Sequence, residues 1–208
     1  MAASSTTPAR PLVGEPVALD LLNTRWIAGS ADRDLLETLD GLRRWLDDVD
    51  LTGRCPADLP TLANLVHTRE ILDRLVDTPG NPEAAEALNA VLAHGLVRRS
   101  LRSGGPEETV EFDHPSWAAA WTAADNYLTL LAEHPDRIRR CANPACVLRF
   151  LDTSKNGTRR WCSMATCGNR AKAARHHARA RGGRAVRTAV PGGRDRGNGE
   201  VLRETGRP

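Results

Sequence analysis

The chain has 208 residues, of which 40% are apolar and 26% charged. That length suits one medium domain or two small ones, and no stretch approaches the roughly 20 apolar residues of a membrane-spanning helix. The formal charge of +3 conceals a division: residues 1–136 carry 11 basic and 22 acidic side chains, whereas residues 137–187 carry 14 basic and one acidic, Asp152. The amino terminus has neither the basic start nor the apolar core of a secretion signal, so a cytoplasmic location is expected. In a reducing compartment, clustered thiols read as metal ligands before they read as disulfides.

Residues 1–13 are small, polar and proline-containing, and read as a tail. A short helix is predicted over 17–25. A second, over 34–49, carries Leu35, Leu39, Leu42, Leu46 and Val49 at helical spacing, widened by Leu36 and Trp45. Asp58 and Pro60 open a third helix, in which Leu62, Leu65, Leu72 and Leu75 alternate with an intruding Arg69. Asn81-Pro82-Glu83 is a helix start, because Asn caps free amides and Pro in the first turn forfeits no hydrogen bond. Residues 96–113 change period and predict a hairpin around Ser-Gly-Gly-Pro. The next helix, 116–134, places Trp117, Trp121, Ala124, Leu128 and Leu131 on one face and stops before Pro135. Residues 14–136 thus read as a mainly α, multihelical acidic domain with a small β-hairpin insert, with the tryptophans at 45, 117 and 121 in its core.

Residues 137–182 have a different character. Cys141, Cys146, Cys162 and Cys167 form C-x4-C-x15-C-x4-C, two close pairs that can wrap one Zn²⁺ in a closed, structural tetrahedral site; an iron–sulfur cluster and unligated thiols are the alternatives. Asn143-Pro144 supplies a turn between the first pair. Asn156-Gly157 is a hairpin signal between 147–152 and 159–161, and Ser163 is placed to cap a helix bearing Cys167. Knuckle, hairpin and helix follow in the order of a treble-clef-like zinc module. The few apolar residues of this segment leave its folding dependent on the metal. Residues 183–208, rich in Gly and Arg, read as a second tail.

Cys167-Gly168-Asn169-Arg170, following three earlier cysteines, resembles the CGNR zinc finger. Ala18-Leu19-Asp20-Leu21-Leu22-Asn23-Thr24 resembles the opening of the ABATE domain that precedes this finger. The resemblance implies a stress-induced transcriptional regulator, with the finger binding DNA and the helical domain sensing a ligand.

The charge of the basic segment points the same way. Arg149, Arg159, Arg160, Arg170, Lys172, Arg175 and Arg179 are candidate nucleic-acid contacts, the last three forming a stripe at helical spacing. The other reading is a solvated basic helix, or one docked on the protein's own acidic half. Asn169 reads as structural support near the metal, and Trp161 as packing over it. In the helical domain, Asp20, Asn23, Thr24 and Arg25 offer mixed polar chemistry for a small-ligand pocket, against the reading of a helix-end network. No P-loop, nucleophile elbow, zinc-protease or deaminase motif occurs, so no enzymatic activity is expected; Cys55 reads as a buried thiol. The partners expected are DNA, a small effector and a second copy of the chain, without a membrane. The competing function is an RNA-binding or protein-interaction module.

Overall fold

The structure is a computed structural model that describes residues 9–173; the candidate contacts Arg175 and Arg179 lie outside the described residues. One compact unit runs to Asn169 and holds both the helical part and the cysteine module. Of a second unit, beginning at Arg170, residues 170–173 are described and are helical.

Among the described residues, five α-helices build the larger part: α1 (Val17–Leu22), α2 (Leu39–Asp48), α3 (Leu59–Asp77), α4 (Pro82–Leu92) and α5 (Ala118–Glu133). Among the described residues, no helix is long and apolar enough to cross a membrane. α5 packs against α1, α3 and α4. Its run of small residues, with Ala118, Ala119, Ala120, Ala123 and Ala124 all buried, lets these neighbours approach closely. Pro16 gives α1 no side-chain cap; Asn126 on α5 serves instead, accepting from the Ala18 amide at 3.0 Å. Asp58 caps α3 through the Thr61 amide and Asn81 caps α4 through that of Ala84. Trp45 is fully buried and Trp121 nearly so, whereas Trp117 is partly buried and stacks on His94 at 3.8 Å.

Among the described residues, three two-stranded antiparallel sheets accompany the helices. The expected hairpin is β3 (Gly95–Arg102) with β4 (Gly105–Phe112), held across the strands by Arg98–Glu111 and Arg99–Glu108 pairs. A second hairpin, β1 (Arg25–Ala28) with β2 (Ala31–Asp34), replaces the end of the first predicted helix. The turn is made by Gly29 at φ 68°, so Gly29-Ser30 was the local signal for it.

The predicted helix over 34–49 is broken. Asp34 caps a 3-10 turn, Leu35–Glu37, and Thr38 begins again as cap of α2 by accepting from the Gly41 amide. The chain doubles back so tightly that a methyl group on Gly41 would lie 1.6 Å from the Leu35 carbonyl oxygen. Two competing cap residues four positions apart outweigh an unbroken apolar period.

The third sheet, β5 (Ile138–Arg140) with β6 (Arg149–Leu151), corrects the predicted pairing in the cysteine module. β6 pairs backwards with the segment before Cys141, not forwards with residues 159–161. The first cysteine pair sits in the β5–β6 loop, and the Ala142 amide reaches the Arg160 carbonyl at 2.8 Å to bring in the second.

Candidate metal centre and its basic module

Arg140 and Arg149 are register partners at the end of β5–β6, and the loop between them carries Cys141 and Cys146. The Cys141 amide bonds the Leu148 carbonyl at 3.0 Å, and the Cys146 amide bonds that of Asn143 at 2.9 Å. Asn143 also accepts from the Ala145 amide at 3.2 Å, so Asn143-Pro144 makes the turn that faces both sulfurs inward. Ser163 accepts from the Thr166 amide and starts a π-helical turn, Met164–Gly168, that presents Cys167.

Asp152 organises the intervening loop. Its carboxylate accepts from the Ser154 hydroxyl at 2.6 Å, the Ser154 amide at 2.9 Å and the Arg159 amide at 3.0 Å. These contacts, the Ser154 hydroxyl first, hold its carboxyl below the usual range. Gly157 adopts φ 62° at the turn.

The four sulfurs lie within 4.8 Å of one another. Cys146–Cys162 and Cys162–Cys167 are each 3.7 Å apart; a tetrahedron of thiolates about 2.3 Å from Zn²⁺ has edges of about 3.8 Å. Asn143 donates its side-chain N–H to Cys167 Sγ at 3.3 Å, the support that orients a ligand and tempers its charge. The hydrogen bond with Cys162 draws the Cys146 thiol down to about 5 and pushes Cys162 up. Four such groups cannot all ionise together unless a cation compensates them, and a soft, tetrahedral divalent ion does. The donor set fits one structural zinc, with no coordination position open for catalysis.

The sulfur support therefore comes from Asn143 and not from Asn169, whose amide bonds the Ala165 carbonyl of its own turn at 3.1 Å and is exposed. Trp161 is partly buried against the core, with the Arg160 guanidinium 5.3 Å from its ring centre.

The basic candidates separate by burial. Arg149 is 3% exposed, and one of its terminal nitrogens pairs with Asp77 at 2.7 Å and Asp73 at 2.9 Å. This corrects its assignment as a phosphate contact: it joins the module to α3, as the opposite charges of the two halves favour. Arg159 is largely committed too, donating to the Trp161 carbonyl at 3.0 Å and the Cys162 carbonyl at 2.5 Å and lying over the Phe150 ring. Arg160, Arg170 and Lys172 are exposed, as are Arg139, Arg140 and Lys155.

The candidate pocket residues divide in the same way. Asp20 is wholly buried and accepts from Arg10 at 2.7 Å, the Trp45 indole at 3.1 Å and the Gly14 amide at 3.0 Å. Asn23 pairs with the main chain of Arg149. Thr24 donates to the Leu21 carbonyl at 2.6 Å and accepts from Arg69 at 2.7 Å. These three form the helix-end network; Arg25 alone of the four is exposed, and it borders a cavity that the other three do not line.

Sequence reasoning missed Arg69, which is 2% exposed and grips both oxygens of Asp34 at 2.6 and 2.7 Å. Its signal was a cation on an apolar helical stripe. Glu15 was missed as well: its carboxylate accepts from the Leu151 amide on β6 at 2.8 Å, and burial raises its pKa.

A multihelical body carrying a four-thiolate module defines a zinc-finger protein of the two-part kind. Residues 15–134 match the family model ABATE, described as "Putative stress-induced transcription regulator", and residues 137–180 match the CGNR zinc finger. The chain belongs to the ABATE family and ends its matched region in a CGNR finger. Comparison with curated proteins returns no match.

Proposed function

We propose that the protein is a zinc-dependent DNA-binding regulator that acts by binding and not by catalysis, its helical domain receiving a stress or small-ligand signal. One observation carries the reading. The only carboxylate among residues 137–187, Asp152, is 2% exposed and turned onto Ser154 and Arg159, while Arg139, Arg140, Lys155, Arg160, Arg170 and Lys172 face solvent. The module's own residues put no exposed carboxylate on its described surface, and its exposed basic side chains, of which Arg140 approaches Asp77 of α3 at 3.6 Å, give the electrostatic footprint of a phosphate-binding module. The predominance of arginine supports bidentate contact with phosphate or guanine.

The test is fluorescence anisotropy of labelled duplex DNA with the zinc-loaded chain across a salt series, with Cys141→Ser as the metal-free control. Binding that falls steeply with salt and is lost in Cys141→Ser supports the reading. Equal binding by both proteins, or by neither, overturns it. Preferential competition by structured RNA moves the assignment to RNA.

A further inference from the structure

A cavity of about 400 Å³ opens between the helical part and the metal-binding hairpin. Its floor is one face of α3, where Arg69, Asp73 and Asp77 recur at four-residue intervals. One wall is the β1–β2 hairpin with Arg25, Trp26, Arg33 and Asp34, and the other is Arg140, Val147 and Arg149. Arg140 immediately precedes Cys141 and Val147 immediately follows Cys146. Anything filling this space touches both the helical part and the backbone that holds two metal ligands.

The lining has five arginines and five carboxylates, the latter being Asp32, Asp34, Glu37, Asp73 and Asp77. Asp34 is spent: both oxygens serve Arg69, and Arg25 and the Leu36 amide add further bonds. Asp73 and Asp77 are not. Each lends its Oδ1 to the same nitrogen of Arg149, and Arg140 makes a long 3.6 Å approach to that same oxygen of Asp77, leaving each Oδ2 without a described partner. On the opposite side, Arg33 is exposed, and its side chain makes no ion pair with a described residue. Arg69 and Arg149 each bury an Nε–H with no acceptor among the described residues.

We infer that this cavity is a binding site for a small zwitterion of the α-amino-acid type with an apolar side chain. A simple anion would be repelled by the carboxylates and a simple cation by the guanidiniums. A molecule carrying an ammonium and a carboxylate on one short frame finds a partner for each, the carboxylate oxygens of Asp73 and Asp77 that Arg149 does not engage for the first and Arg33 for the second. Leu22, Trp26 and Val147 give its side chain an apolar surface. The volume lies within the range of small-ligand pockets. As a binding site this stands independently of nucleic-acid recognition; as the site of the regulatory signal it rests on the function proposed above. By linkage, the factor by which the ligand changes zinc retention is also the factor by which zinc changes retention of the ligand.

The test is isothermal titration calorimetry at pH 7 of the zinc-loaded full chain with a panel of apolar L-amino acids, including leucine, phenylalanine and methionine. Each is run beside its N-acetyl derivative, which keeps only the carboxylate, and its amide, which keeps only the ammonium. Saturable binding of at least one free amino acid is expected, weakened tenfold or more in both derivatives and in Arg33→Ala. That side chain makes no described ion pair, so the variant is expected to fold, which its melting curve verifies. The proposal is overturned if no panel member binds, if a singly charged derivative binds as well as its parent, or if Arg33→Ala binds undiminished. No nucleic acid is present, so failure here leaves the DNA experiment untouched, and the converse holds.

Discussion

Asn23 and Arg149 lie 126 positions apart, yet the side-chain amide of Asn23 donates to the Arg149 carbonyl and accepts from its N–H, each at 2.9 Å. The amide does what a neighbouring strand would do, satisfying a buried peptide group from the end of α1. Asn23→Ala orphans both main-chain groups and is expected to destabilise the chain by about 3 kcal/mol. Asn23→Asp should be no better, since an oxygen then faces the Arg149 carbonyl. Denaturant titration at fixed zinc measures both.

Arg149 and the exposed arginines should behave oppositely. Arg149→Met leaves Asp73 and Asp77, two like charges one helical turn apart, without their shared cation, and is expected to cost about 1 kcal/mol of stability, because both carboxylates are more than 40% exposed and water screens them. Adding Asp73→Asn and Asp77→Asn should restore part of that loss. Its effect on the salt dependence of DNA binding should be small. Arg160→Ala, Arg170→Ala and Lys172→Ala should each lower the salt slope by about one where that side chain meets a phosphate, with little change in melting temperature.

Asp34 and Glu15 contribute to acid stability with opposite signs. Burial alone would raise the Asp34 carboxyl, but the paired hydrogen bonds and charge of Arg69 outweigh it and hold it below its ordinary 3.8. An acid depressed in the folded state contributes stability that is complete above its unfolded pKa and is lost as pH falls through the folded one. Asp34→Asn should therefore flatten the loss of stability below pH 3.8. At neutral pH it leaves Arg69 buried without a counter-charge, a cost of about 3 kcal/mol. Glu15 has the opposite sign: burial raises its carboxyl above the ordinary 4.5, so ionising it reduces stability as pH rises past that value. Glu15→Gln keeps an acceptor for the Leu151 amide and should gain stability on the neutral side relative to the acid side. Thermal melts from pH 2.5 to 7.5 read both limbs.

Gly41→Ala is expected to be among the most damaging single methyl additions in the helical part. The new carbon would overlap the Leu35 carbonyl oxygen, which is backbone and cannot turn aside, so a loss above about 3 kcal/mol is expected. Replacing Gly53, whose surroundings are open, should cost only the strain of its positive φ, about 1 kcal/mol. Comparison of the two melting temperatures is the measurement.

These residues also show what could be read from the sequence. The four cysteines, the caps at Asp58 and Asn81, the long hairpin and the alanine-rich α5 are local patterns whose chemistry is complete within a few neighbours. The cap at Thr38, the backward pairing of β6 and the burial of Arg149 depend on partners far along the chain or on competition between adjacent signals. A lone Arg149 in a basic run looks like its neighbours until Asp73 and Asp77 are placed opposite it. Asp20, Asn23 and Thr24 were recognisable as a polar group with work to do, but their neighbours turned that work inward. The same distinction explains Asn143 and Asn169: both stand two positions after a ligand cysteine, and only the fold decides which amide meets a sulfur.

Cys55 stands apart from the other thiols, buried in the helical core and with burial raising its pKa. The five sulfurs thus report on two different events. Stripping zinc opens four of them to a thiol reagent while the helical core still shields the fifth, and only unfolding of that core releases Cys55. Counting reacted thiols against time, four then five, distinguishes loss of the metal from loss of the fold without any label being introduced.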